Sequence, residues 1–153
     1  MTSECMKSEF VFAFPHQVRW VECDPQWVVF NGHYLTFFDV AISEYGRHLG
    51  LPGGLERQRM GREFFARKAS IEYFTPARFD DKLEICVRVS YLGRSSLRFI
   101  LAIFRGEELL TVGEMTYVYV DVAARRSEAL PASWREKVLA FERTPVEQGQ
   151  AAQ

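Results

Sequence analysis

Apolar and polar positions alternate with a period of two near the start of the chain. Phe10, Phe12 and Phe14 are separated by single residues, and "HQVRWVE" continues toward Asp24. That alternation predicts a strand with one buried face, bent near Pro15, which has no N–H to give a ladder. From Tyr34 the period changes. Tyr34, Phe37, Phe38, Ala41, Ile42, Tyr45 and Leu49 fall mostly in steps of three and four, so one helical face is strongly apolar. Gly50 and Pro52 end this helix, with Arg47 and His48 at the negative end of its dipole.

After the Gly-rich connection "LPGGLERQRMG" the period of two returns. "FFARKASIEYF" stops at Thr75-Pro76, and "KLEICVRVSYL" alternates through Leu83, Ile85, Val87 and Val89. "SSLRFILAIFR" and "ELLTVGEMTYVYVDV" follow, with tight turns expected at Gly93-Arg94 and Gly106-Glu107. Gly113 inside the last strand marks a bulge or a close contact. "SWREKVLAF" reads as a short helix with Ser133 as N-cap, and the polar tail from Thr144 is expected to fray. One helix among runs of strands is the pattern of an α+β domain, with the sheet wrapped around the helix. The expected organisation is an N-terminal extension over 1–9, one domain over 10–143 and a flexible tail over 144–153.

Composition narrows the functional classes. The 153 residues can bury one sizeable core, and a net charge of −1 supplies no field to attract nucleic acid or an anionic membrane. Cys5, Cys23 and Cys86 are odd in number and far apart, with no metal-site spacing, so they read as thiols of a reducing cytoplasm. No apolar stretch has the length of a signal peptide or a membrane span. The expectation is a cytoplasmic protein with no metal. G-x-S-x-G, P-loop, G-x-G-x-x-G and H-E-x-x-H motifs are all missing.

The candidate chemistry gathers in "ECDPQWVVFNGHYL". Asp24 is a turn residue before Pro25, a helix-start charge, or a catalytic carboxylate aimed at the start of the following helix. Asn31, Gly32 and His33 lie where unpaired helix N–H groups would stabilise a developing oxyanion. Asn31 is also a good N-cap, and a lone His such as His33 at a helix start is more often structural. Cys23 reads as a small half-buried side chain, and His16 and His48 have no metal-like partners.

"VRWVECDPQWVVFNGHYLTFFDVAISEYGRHLGLP" resembles the signature of hotdog-fold acyl-CoA thioesterases of the 4-hydroxybenzoyl-CoA thioesterase type. "IEYFTPARFDDKLEICVRVSYLGRSSLRFILAIFRGEELLTVGEMTYVYVD" resembles the family's second block, in the same order. The resemblance implies a long central helix wrapped by a five-stranded antiparallel sheet. It also implies a homodimer with two active sites at the subunit interface, pairing into a homotetramer. Asp24 matches the family's catalytic carboxylate. Two positions depart: many relatives carry Gly where this chain has Trp27, and His where it has Asn31. Trp27 therefore adds bulk at the pocket.

The implied reaction is hydrolysis of an acyl- or aroyl-CoA thioester to free acid and CoA, with Asp24 as nucleophile or general base. A thioester needs little activation, so no cofactor is expected beyond the coenzyme A of the substrate. Arg94, Ser95 and Ser96 in "YLGRSS" are candidates for a CoA phosphate, or a solvated hairpin turn. Arg67 and Lys68 are further phosphate candidates, and Phe64 and Phe65 line the acyl pocket or the core. A non-catalytic acyl-CoA-binding module is the alternative. A hotdog dehydratase is a third reading, set aside because no His pairs convincingly with an acid near Asp24.

Overall fold

Leu83, Ile85, Val87 and Val89 form a buried row on the side of an antiparallel sheet that faces the long helix. The computed structural model describes residues 5–149. Along the chain run β1 (Phe12–Gln17), α1 (His33–His48), α2 (Gly54–Arg59), β2 (Arg62–Tyr73), β3 (Lys82–Leu92), β4 (Ser96–Arg105) and β5 (Glu108–Asp121). The two-residue β6 (Arg126–Ser127), then α3 (Ala132–Phe141) and the two-residue β7 (Glu147–Gln148) complete it. The five long strands lie in the order β1-β3-β4-β5-β2, antiparallel throughout. β2 is thus an edge strand although it follows the helix in sequence.

Tyr34, Phe37, Phe38, Ala41 and Tyr45 of α1 are buried against this sheet. Removing four aromatic side chains and an alanine from water secures the helix better than its propensities could. Gly113 meets this face: a methyl group there would overlap the Phe38 ring, so the glycine serves a close contact and not a bulge. The register shifts lie elsewhere, between Ala66 and Lys68, Val89 and Tyr91, and Ile103 and Phe104.

Several expectations are corrected. β1 stops at Gln17 and passes Pro15 on an edge, where the missing N–H costs no ladder bond. Phe10 does not share the inner face of Phe12 and Phe14; it is buried with Cys86, Ala102 and Phe104. The Gly-rich connection contains a helix, α2. Pro131, not Ser133, holds the N-cap position of α3, and Ser133 lies inside its first turn.

The tail is bound as far as Gly149. Thr144 Oγ1 donates to the Glu9 carbonyl at 2.8 Å, and β7 pairs with β3. The rest of the expected tail, and the first four residues of the expected extension, lie outside the described residues. No helix among the described residues is long and apolar enough to cross a membrane.

Candidate active site

Asp24 sits in a small hairpin between β1 and α1. Cys23 bridges Val29, the Asp24 N–H donates to the Val28 carbonyl at 2.9 Å, and the Trp27 N–H donates to the Asp24 carbonyl at 2.9 Å. Asp24 Oδ1 accepts from the Gln26 N–H at 2.8 Å, so the turn reading and the carboxylate reading coexist in one side chain. The Asp24 side chain is half-buried. Closing so tight a loop puts Trp27 at φ 66°, a region that Gly enters without steric cost and a bulky side chain does not.

Asn31 is not the side-chain cap expected of it. Gly32 occupies the N-cap position in a helical conformation, and no side chain caps the helix. Asn31 is exposed, and its carbonyl accepts from the Tyr73 hydroxyl at 2.9 Å. Gly32 lies against the Phe30 ring, where a Cβ would come within 2.7 Å of a ring carbon. The His33 N–H donates to the Phe30 carbonyl at 3.0 Å, so it is not a free donor. Among the described residues, nothing accepts from the N–H of Asn31 or Gly32. Those two remain available for an oxyanion.

A histidine–acid pair does lie beside Asp24, contrary to the sequence reading. His16 Nε2 is 2.9 Å from Glu22 Oε1, which also accepts from the Arg19 N–H at 2.7 Å. Burial alone would push the Glu22 carboxyl up. The Arg19 N–H, the hydrogen bond and charge of His16 and the Arg19 guanidinium outweigh it and hold the carboxyl below its usual value. The signal was present in part, because Phe12, Phe14 and His16 share the inward phase of β1. Cys23 is a poor nucleophile: burial, then the charges of Glu22, Asp24 and Asp81, raise its thiol.

The other candidates are dispersed. Phe64 and Phe65 point to opposite faces of β2, so both cannot line one pocket. Phe64 packs on Tyr119 and Trp134, whereas Phe65 is 56% exposed beside Val118 and Val120. Arg67 and Lys68 are exposed at the irregularity of β2. Arg94, Ser95 and Ser96 form the β3–β4 turn, with the Gly93 N–H donating to the Ser96 carbonyl at 2.8 Å. That turn lies at the far end of β3 from Gln17 and the Asp24 loop, roughly 35 Å away at about 3.3 Å per residue.

A cavity of about 470 Å³ lies along the C-terminal half of α1. Asp39, Ser43, Arg57, Phe64, Phe99 and Tyr117 are among its walls. This mixture of aromatic surface and a few polar groups suits a small organic ligand. Burial, with Asp39 adding to it, pushes the Tyr117 phenol up to about 12, so Tyr117 presents a hydroxyl and not a phenolate. Asp24 precedes the other end of the same helix, so the cavity and the carboxylate do not meet within one chain.

Comparison with known proteins bears on this arrangement. Residues 27–112 match the model of the thioesterase superfamily. The chain belongs to the thioesterase superfamily. Asp24 lies just ahead of the matched segment of this superfamily member. The acyl-CoA thioester hydrolase YbgC of Escherichia coli is 34% identical over 125 residues, covering 80% of this chain and 92% of that protein. The acyl-CoA thioesterase YbgC of Haemophilus influenzae is 29% identical over 122 residues, covering 78% and 88%. The crystal structure of PA5185 from Pseudomonas aeruginosa superposes with a TM-score of 0.78 at 28% identity, covering 96% of this chain and 98% of that one. Slr0204 from Synechocystis, a 1,4-dihydroxy-2-naphthoyl-CoA thioesterase, shares the fold at a TM-score of 0.78 and 20% identity, covering 83% and 94%. The fold is the hotdog arrangement that the sequence resemblance implies.

Proposed function

We propose that the protein hydrolyses an acyl-CoA thioester to free acid and coenzyme A, with Asp24 as the acting carboxylate. One observation carries the reading. The hairpin that holds Asp24 closes directly onto the segment entering α1, whose Asn31 and Gly32 N–H groups have no acceptor among the described residues. A thioester carbonyl oxygen gains negative charge as a nucleophile adds, and two fixed N–H groups at a helix start suit that charge. Asp24 either adds to the carbonyl carbon or takes a proton from the water that adds. In the first route CoA thiolate leaves and water cleaves the resulting anhydride; in the second it leaves directly. Neither route needs a cofactor.

The substrate site in this reading is shared between two copies. Tyr73, at the end of β2, holds the start of α1, and Phe64, near the beginning of β2, lines the cavity. Among the described residues, no strand pairs with the outer side of β2. Antiparallel pairing of β2 with its copy about a two-fold axis brings Asp24 of one chain toward the cavity of the other. The same operation brings the Arg94 turn of the second copy toward Asp24, where a CoA phosphate could meet it. The outer face leaves Phe65 and Val122 exposed, which supports two such dimers pairing into a tetramer. The reading includes a cytoplasmic location.

A panel of acyl-CoAs with detection of released thiol tests the activity. Turnover of at least one member is expected, and Asp24→Asn should lower it by at least about a hundredfold. Tight acyl-CoA binding without turnover of any member would establish the binding module instead.

A further inference from the structure

Glu22 is the least exposed acidic residue among the described residues, at 5% exposure, and it sits two positions before Asp24. Burying a carboxylate is costly unless its oxygens are paired, and here they are. Oε1 accepts from the Arg19 N–H at 2.7 Å and meets His16 Nε2 at 2.9 Å; Oε2 accepts from the Arg19 guanidinium at 3.3 Å. The main chain of the same residue closes the hairpin. The Glu22 carbonyl accepts from the Phe30 N–H at 3.0 Å, one residue before the free donors of Asn31 and Gly32. His16 in turn lies on the ring of Phe37 in α1, with centroids 4.6 Å apart.

We infer that Glu22, tied to His16 and Arg19, is a positioning residue that sets the Asp24 carboxylate against the start of α1. The inference rests on the reading of Asp24 as the acting carboxylate. Three elements that must agree for the chemistry meet at this one residue: the end of β1 and, through His16 on Phe37, α1 at its side chain, and the hairpin at its backbone. Other contacts support the loop from elsewhere, among them the Tyr73 hydroxyl on the Asn31 carbonyl at 2.9 Å and the Trp20–Trp27 edge contact. The Val29 N–H donates to the Ala77 carbonyl at 2.8 Å, and the Ala77 N–H donates to the Tyr34 hydroxyl at 3.2 Å. Those two hold the far side of the hairpin and the helix, whereas the Glu22 carboxylate braces the near side.

The expected signature is a loss in kcat with binding retained, since the brace touches no part of the substrate. Glu22→Ala should lower kcat by about tenfold to a hundredfold, the scale of a small misplacement of a reacting group. KM and the affinity for free coenzyme A should change by less than about threefold. Glu22→Gln keeps an oxygen for the Arg19 N–H and for His16, and should recover most of the loss. In an Asp24→Asn background the same Glu22→Ala change should have little further effect, because the brace acts through Asp24.

An equal loss in both backgrounds overturns the inference, as does a lower Tm with kcat unchanged. If Asp24→Asn is inactive while Glu22→Ala is fully active, this inference fails and the assignment of Asp24 stands. If Asp24→Asn itself turns over normally, the assignment of Asp24 fails and takes this inference with it. Should Glu22→Ala not fold, His16→Ala carries the same comparison at a more accessible site, with kcat expected to fall about tenfold.

Discussion

Trp27 adopts φ 66°, a region that costs an L-residue about 1–2 kcal/mol. What holds it there is local. Its N–H closes the turn onto the Asp24 carbonyl, and its indole meets the edge of Trp20 at 5.8 Å between centroids. An aromatic edge contact contributes about 0.5–1.5 kcal/mol, enough to offset most of the strain. Trp27→Gly removes both terms, so unfolding in urea should show stability within about 1 kcal/mol of the native protein. A loss above about 2 kcal/mol would mean that the indole, 69% exposed here, is a structural anchor. The motif around Asp24 was legible because it is contiguous. Its brace was not, because His16 and Glu22 belong to different elements and only the turn at Trp20–Glu22 brings them within 2.9 Å.

At the scale of elements, Glu142, the residue that follows α3, fills a gap that the strands leave. β1 stops pairing with β3 at Val87, and β7 begins at Tyr91. Between them the Val89 N–H donates to Glu142 Oε1 at 3.2 Å, and the Tyr45 hydroxyl donates to the same oxygen at 2.6 Å. Burial pushes the Glu142 carboxyl above its usual 4.5, despite these two bonds and the charge of Arg88. The native chain therefore keeps a proton that the unfolded chain releases. The group's stabilisation is full below pH 4.5 and is lost as pH rises through the raised native value.

Glu22 acts in the opposite sense in another window. Its lowered value supplies stability above pH 4.5 that is lost as pH falls through the native value. Glu142→Gln keeps an acceptor for both donors without the charge. The variant and the native protein should match near about pH 4, and the variant should be the more stable near about pH 8. Parallel stability curves across that range would refute the assignment.

At the scale of the molecule, β2 is long, has no strand on its outer side among the described residues, and carries exposed Phe65, Tyr73 and the adjoining Phe74. A bare edge of this kind invites pairing. Light scattering should find a dimer or tetramer at micromolar concentration, with no active monomer. Complementation tests the sharing of the site directly. Asp24→Asn and a cavity variant such as Phe64→Ala should each be weak alone. Mixed by co-unfolding and refolding, they should regain about a quarter of native activity, because half of random dimers carry one intact site of two. No recovery beyond the two separate activities would place the whole site in one chain.

The periods of two and of three to four determined which segments became the five long strands and α1, because each burial face is written locally in side-chain spacing. The turn at Asp24 was equally legible, since turn chemistry depends on neighbours in the chain, but the helix start was not: Gly32, not Asn31, holds the N-cap position, and the His33 N–H is engaged. The strand order, with β2 at the edge beyond β5, was left to tertiary structure, as were the Glu22–His16 pair and the Glu142 plug. So was the placement of the cavity and the Arg94 turn at the end opposite Asp24. These depend on which distant segments pack together, and periodicity says which face a side chain takes but not what it will meet there.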